Sequence, residues 1–225
     1  DYYQSQIRED LKIKASDNLR LRLGADIQLG NVEYQLQVPR VDMDRGSGRP
    51  GGGGGAPFLM PADGLVTDQS SPLLQPAFYF EANYQPIKAL ELIPGIRADH
   101  YGAIGRTSIS PRFTTRYSLT DRVLLKGGVG LFTQPPLPHE SDPVIGNPRV
   151  NFESAMHYAV GSEWRPMDYL EVDATLFYRS MFDLVQPSSA VEENDRGERE
   201  NVVFDNGGKG RAYGLELMLR HYPQN

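Results

Sequence analysis

Leu19-Arg20-Leu21-Arg22-Leu23-Gly24-Ala25-Asp26-Ile27-Gln28-Leu29-Gly30 decides the fold. Every odd position is apolar, while the even ones are Arg, Arg, Gly, Asp, Gln and Gly. Side chains of an extended chain point alternately to opposite faces, so a period of two describes a strand with one apolar and one polar side. A helix would scatter these leucines around its circumference. Working outward, Ile109, Pro111, Phe113, Tyr117 and Leu119 oppose Ser108, Ser110, Arg112, Thr114, Arg116 and Ser118. Leu90, Leu92, Ile96 and Ala98 oppose Glu91, Arg97 and Asp99, and Leu170, Val172, Leu176 and Tyr178 oppose Glu171, Asp173, Thr175 and Arg179.

These segments run to roughly 11 to 16 residues, where strands of soluble domains run to about 5 or 6. A tilted strand crosses a bilayer in about 9 to 11 residues, so each is long enough to span one. Tight turns are expected near Ser16-Asp17-Asn18, Gln85-Pro86-Ile87, Leu119-Thr120-Asp121 and Arg165-Pro166-Met167-Asp168. They alternate with longer links at about 37–72, 102–106, 135–153 and 187–200, and short turns opposite long loops are the plan of bacterial outer-membrane barrels. The link containing Gly51 to Gly55 reads as a low-complexity surface loop, since no strand leads directly into it and no helix follows, as a phosphate cradle would need.

The composition of the 225 residues agrees: 23 Gly, 17 Pro, 12 Tyr and 9 Phe favour strands and turns, and the absence of Cys excludes disulfide scaffolds, zinc ribbons and cysteine nucleophiles. A formal charge of -6 and a pI near 5.3 argue against nucleic-acid binding, which needs a basic surface. The longest apolar runs, such as Ala77 to Phe80, are about four residues against the roughly 18 of a spanning helix. A mean hydropathy of -0.47 leaves spanning strands open, because their alternation averages out. The chain starts at Asp1 with neither Met nor a signal segment, and is read as an excerpt.

Parity also sorts the candidate functional residues. Tyr84, Tyr117 and Trp164 each stand one to three residues before a short turn on the apolar face, where they would form a membrane-interface level. Arg97, Asp99, Arg112, Arg116 and Lys126 stand on the polar face as candidate substrate-binding groups, with Asp99 and Arg112 expected as cross-strand neighbours. The polar loop from Glu192 to Glu200 reads as a solvated loop that could instead engage a cationic or chelate ligand. His100, His139, His157 and His221 are scattered, the His139-Glu140-Ser141-Asp142 group lies on a Pro-flanked loop, and no metal site or cofactor is expected. No Gly-x-Ser-x-Gly elbow appears, Gly208 to Gly214 has the wrong spacing for a dinucleotide loop, and no catalytic residue is assigned. Asn206, Gly207 and Gly208 are expected to mark a bulge or bend at the outer rim.

Several segments resemble the C-terminal barrel of TonB-dependent receptors. Glu91-Leu92-Ile93-Pro94-Gly95-Ile96-Arg97-Ala98-Asp99 is similar to the family's Gly-x-Arg-x-Asp strand, and Ser110-Pro111-Arg112-Phe113 to its Ser-Pro-Arg strand start. Leu124 to Pro136 resembles the strand that ends in Pro at the outer rim, and Tyr158-Ala159-Val160-Gly161-Ser162-Glu163 the Tyr-x-x-Gly-x-Glu strand. Thr175-Leu176-Phe177-Tyr178 and Gly210 to Glu216 follow in the family's order. The likeness covers roughly 75–222, and the first 70 residues match only in strand pattern.

The resemblance implies an all-β, antiparallel transmembrane barrel segment in the outer membrane of a Gram-negative bacterium, with short periplasmic turns and long extracellular loops. Residues 1–225 would supply about nine strands of a 22-stranded barrel, in contact with outer-membrane lipid. The TonB complex would act through an N-terminal plug that is not in this chain. The cargo would be a scarce solute, most often a ferric siderophore or similar chelate. Two rival architectures share the strand pattern: a soluble β-sandwich or carbohydrate-binding module, and a passive porin or adhesin barrel.

Overall fold

A computed structural model describes residues 2–38, 65–143, 146–188, 191–193, 199–201 and 203–223. Among them the chain forms eleven strands: β1 (Tyr2–Lys14), β2 (Leu19–Val38), β3 (Leu65–Ile87), β4 (Leu90–Tyr101), β5 (Arg106–Thr120), β6 (Val123–Gln134), β7 (Glu153–Met167), β8 (Leu170–Pro187), β9 (Val191–Glu193), β10 (Arg199–Asn201) and β11 (Phe204–His221). Nine make one sheet in the order β1-β2-β3-β4-β5-β6-β7-β8-β11, every pair antiparallel, and β9 and β10 form a separate hairpin.

At one end the connections are short: 15–18, 88–89, 121–122 and 168–169. The ladder runs through them. Backbone N–H groups of Gln85, Ser118, Arg165 and Tyr222 donate to the carbonyls of Asn18, Ala89, Arg122 and Tyr169, each at 2.8 Å, so each turn is tied to the next neighbour of its hairpin in the sheet: β3, β5, β7 and the residue just past β11. The turn expected at Gln85-Pro86-Ile87 lies instead at Lys88 and Ala89, because β3 continues to Ile87 through a register shift between Tyr84 and Ile87. Likewise β7 continues to Met167.

The opposite end is more varied. The 102–105 link is only four residues, closed by Gly105 at φ +62°, a conformation in which a Cβ is strained. Residues 65–72, expected in a link, belong to β3 and pair with residues 31–38 of β2, while the Gly51 to Gly55 stretch lies outside the described residues. Part of the polar loop forms the β9–β10 hairpin, and residues 194–198 of it lie outside the described residues. The bulge expected at Asn206 to Gly208 is present, as register shifts between Asp205 and Gly208 and between Gly208 and Gly210. Asn206 uses it to tie down the 135–152 link: its Oδ1 accepts from the Asn151 N–H at 2.7 Å, and its Nδ2 donates to the carbonyls of Asn151 (3.1 Å) and Asp183 (2.8 Å). In the same link the Glu140 carboxylate accepts from the Leu137 N–H at 2.7 Å and His139 meets Phe204 edge-on.

The two faces of the sheet are inverted relative to a soluble core. The apolar face is open: Phe78 is 64 % exposed, Leu217 69 % and Tyr213 73 %. The polar face is the enclosed one, with Asp26 and Glu171 each 4 % exposed. A sandwich would need a second sheet over Phe78, Leu176 and Leu217, and among the described residues the only other sheet is the three-residue hairpin. Glu9 interrupts the outward set of β1 between Ile7 and Leu11, on an edge strand whose far side carries no partner among the described residues.

Among the described residues the sheet has unpaired edges at β1 and β11 and an uncovered apolar face, which expose templates for further pairing. The 225 residues expressed alone are expected to aggregate in detergent-free buffer, and a monodisperse monomer by light scattering would contradict this account of the faces.

Candidate functional site

The polar face of β1–β4 is organised around Tyr79. Register places Gly24 and Arg97 on either side of it. Gly24 has no side chain, and the Tyr79 ring lies in the space: a Cβ at Gly24 would come within 2.2 Å of the ring. The ring is also a platform for three guanidinium groups, of Arg8, Arg22 and Arg97, at 5.3, 5.7 and 5.8 Å from its centroid. The negative face of an aromatic ring attracts such cations by roughly 0.5–2 kcal/mol each. The Tyr79 hydroxyl donates to the Asp10 carboxylate, which also takes Arg22 Nε at 2.8 Å and Arg8 Nε at 3.4 Å. Arg97 is held by Asp99 (Nε to Oδ1, 2.8 Å) and by Asp26 (Nη2 to Oδ2, 3.5 Å), and Gln6 donates to Asp26 at 2.7 Å.

Nearer the short turns a second network spans β4–β8. Lys126 pairs with Asp173 at 2.5 Å and with Glu163 at 3.6 Å, and Arg116 reaches Glu163 at 3.7 Å and Glu91 at 3.8 Å. Asn83 donates to Glu91. At the turn end itself Glu171 holds Arg220 at 2.7 Å and Arg165 at 2.9 Å. Single exposed pairs contribute about 0–1 kcal/mol, but shared carboxylates make these a wall of mutually fixed charges.

All five basic or acidic candidates from parity, Arg97, Asp99, Arg112, Arg116 and Lys126, stand on this face. Arg97, Asp99, Arg116 and Lys126 are tied to opposite charges as described. Asp99 and Arg112 share the face but are not direct neighbours: Asp99 sits opposite Ser108, and Arg112 opposite Gly95. Arg112 has Glu81 as its nearest acid, 3.8 Å from Nη2. Tyr84, Tyr117 and Trp164 stand on the open face, 40 %, 40 % and 51 % exposed, each close to a short turn.

What this inside-out sheet belongs to is given by comparison. Residues 1–222 match the protein-family model described as TonB dependent receptor-like, beta-barrel. The chain belongs to the TonB-dependent receptor family. Solved structures with the same fold include the siderophore receptor PirA of Acinetobacter baumannii, at 16 % identity and a TM-score of 0.66 over 96 % of this chain and 34 % of that one. A variant of the ferric enterobactin receptor PfeA of Pseudomonas aeruginosa gives 20 % identity and 0.66 over 95 % and 32 %. The outer membrane transporter YddB of Escherichia coli gives 15 % identity and 0.64 over 97 % and 30 %. The chain thus spans about a third of the length of these proteins. No curated protein sequence matches it significantly.

In a TonB-dependent receptor barrel the open apolar face is the outer wall and the charged face the inner one. Reading the sequence by parity missed the Tyr79 centre. The available signal was Tyr79 itself, an amphipathic residue on the inward parity between the outward Phe78 and Phe80, opposite the inward Gly24. Arg8 and Asp10 lie in the part of the barrel that matched the family only in strand pattern.

Gly24→Val is expected to lower barrel stability by about 1–3 kcal/mol by driving Tyr79 off its platform. Combining Tyr79→Ala with it should recover part of that loss. Urea midpoints of the detergent-solubilised receptor measure both, and additive losses would contradict the close approach.

Proposed function

We propose that this chain is part of the barrel wall of an outer-membrane receptor that imports a scarce solute, most simply a ferric siderophore or similar chelate, in a Gram-negative bacterium. The observation that carries it is the inversion of the sheet: a predominantly apolar outer face, open among the described residues, and an inner face of interlocked charges. Apolar side chains outside satisfy lipid, and the backbone polar groups of adjoining strands satisfy one another in the ladder, as the hydrocarbon layer requires. The varied connections opposite the short turns would face the medium and capture the solute. PirA and PfeA, with which the chain shares its fold, are named as siderophore and ferric enterobactin receptors, which favours a ferric chelate among possible cargoes.

Tyr84, Tyr117 and Trp164 would then mark the inner membrane interface, where amphipathic rings settle at the headgroups. Residues 1–225 act as one barrel piece, and the TonB complex would act through the plug of the whole receptor rather than through this wall. Arg97, Asp99, Arg112, Arg116 and Lys126 line the route. Each is held by an opposite charge on the same face, so they serve first as a rigid, hydrated wall and only locally as ligand contacts. The step is capture and passage, with no covalent chemistry.

Cysteine accessibility tests the orientation of the wall in whole cells. Leu176→Cys should be shielded by lipid from a water-soluble maleimide, while Lys126→Cys, facing the interior, should react once the route is open. Leu176→Arg should cost about 2–4 kcal/mol near the bilayer midplane. Recovery of the folded full-length protein from the soluble periplasm without detergent would sink the reading.

A further inference from the structure

The sheet is not laced evenly towards its outer connections. Strands β5 and β6 pair from Thr120↔Val123 up to Arg112↔Gly130, and among the described residues their pairing goes no further. Yet β5 continues to Arg106 on β4, and β6 to Gln134 on β7. The break falls at Pro111, which has no N–H to give. A tilted strand crosses a bilayer in about 9 to 11 residues, so the stretch from Arg112 to Thr120 completes the crossing and the break lies at its outer end.

Beyond the break the two sides meet through hydroxyl groups. Thr133 Oγ1 lies 2.7 Å from Ser108 Oγ, 3.0 Å from the Tyr101 hydroxyl and 3.5 Å from Ser110 Oγ, and the Tyr101 hydroxyl donates to the Thr133 carbonyl at 3.1 Å. Tyr101 and Ser108 are enclosed there, 5 % and 1 % exposed. Next to them a recess of about 260 Å³ separates Ser110 and Arg112 from Leu131 and Phe132. A hydroxyl rotates, and it both donates and accepts. A set of four re-forms its bonds after one strand slides past the other, whereas a ladder of fixed N–H and C=O groups does not.

On its other side the same segment is fastened firmly. The 135–152 link between β6 and β7 is tied to β11 by Asn147, whose Nδ2 donates to the Phe204 carbonyl at 2.7 Å, and by Asn206, which takes both backbone groups of Asn151. Asn206 also holds the carbonyl of Asp183, whose φ of +54° is the one positive value at a non-glycine among the described residues. Such a backbone persists only where its surroundings impose it. Glu153 adds a tie to β8, accepting from the Val185 N–H at 2.8 Å while Gln134 Nε2 donates to it at 2.5 Å. Within the link Gly146 packs so closely that a Cβ would come within 2.4 Å of the His139 carbonyl oxygen, and Val150 is 1 % exposed. We propose that the outer part of this wall consists of two bodies that part along the β5–β6 boundary. The outer end of β6, the 135–152 strap and β7 move with β8 and β11, and the hydroxyl seam at Tyr101, Ser108, Ser110 and Thr133 is the line on which they separate from β4 and β5. Parting widens the outer mouth whatever solute is carried, and leaves the strap itself folded.

The test uses the full-length receptor in detergent, with any cysteine outside residues 1–225 replaced by serine, since these residues contain none. Single cysteines are introduced by Ser108→Cys in the seam and Val150→Cys in the strap, two positions equally shut off from solvent at 1 % exposure, and their reaction with a water-soluble maleimide is timed. The seam cysteine should react at least about tenfold faster than the strap cysteine, because local opening reaches it first. Removing one seam hydrogen bond by Tyr101→Phe should speed the seam cysteine by about threefold or more and leave the strap cysteine unchanged. Asn206→Ala should do the reverse. Amide hydrogen exchange of the unsubstituted receptor covers the case of a variant that fails to fold: the strap, 146–152, should exchange more slowly than residues 106–111 of β5, although only the latter belong to a strand. Equal labelling at the two positions, faster labelling at Val150→Cys, or a strap that exchanges faster than 106–111 would overturn the seam. Each of those results would leave the receptor reading untouched, because no cargo enters the measurement.

Discussion

The constraint on which everything else depends is the main-chain hydrogen-bond ladder. A peptide group in hydrocarbon has no water to bond, so a wall that spans a membrane by strands must pair each N–H and C=O with its neighbours. Between its edges the nine-stranded sheet does this without a break in neighbour order, and four turn carbonyls extend the ladder to the next neighbour of each hairpin. Once the ladder is fixed, parity is fixed too, because a slip of one residue would send every charge outward and every leucine inward. The polar wall and the apolar wall are therefore a single decision, made in the backbone.

Within the inner wall, glycine placement decides what the charges can do. Gly24 admits the Tyr79 ring, which gathers Arg8, Arg22 and Arg97 among Asp10, Asp26 and Asp99. Gly95 and Gly130 let Arg112 lie flat, and Gly214 does the same for Phe177. The first arrangement uses up its charges internally. The second leaves the Arg112 Nε without a hydrogen-bond partner, with Glu81 3.8 Å from its Nη2. Alternating open and filled positions thus decide which long side chains can lie flat along the wall.

The strands, their long span and the sorting of Arg97, Asp99, Arg112, Arg116 and Lys126 from Tyr84, Tyr117 and Trp164 were legible in the sequence, because a period of two depends only on local backbone geometry. So was the bulge at Asn206 to Gly208, where the glycines mark a relaxed backbone. Less legible were the limits of pairing. Pro86 suggested a turn that lies two residues later, and residues 65–72 lack a clear alternation yet are strand, because residues 31–38 of β2 supply their partner. Pairing is set by the neighbouring strand, which a local pattern does not contain.

By itself, then, the sequence determined which side chains share a face and that the chain builds a sheet too long and too two-sided for a soluble core. The tertiary structure alone decided which charges meet. Asp99 and Arg112 lie close along the chain, yet cross-strand register puts Ser108 opposite one and Gly95 opposite the other. Tyr79 and Asp10 are 69 residues apart and are joined by a hydrogen bond. Alternation is a property of one strand, whereas an ion pair or a stacked ring is a property of two or three strands in register, and register exists only once the sheet has formed.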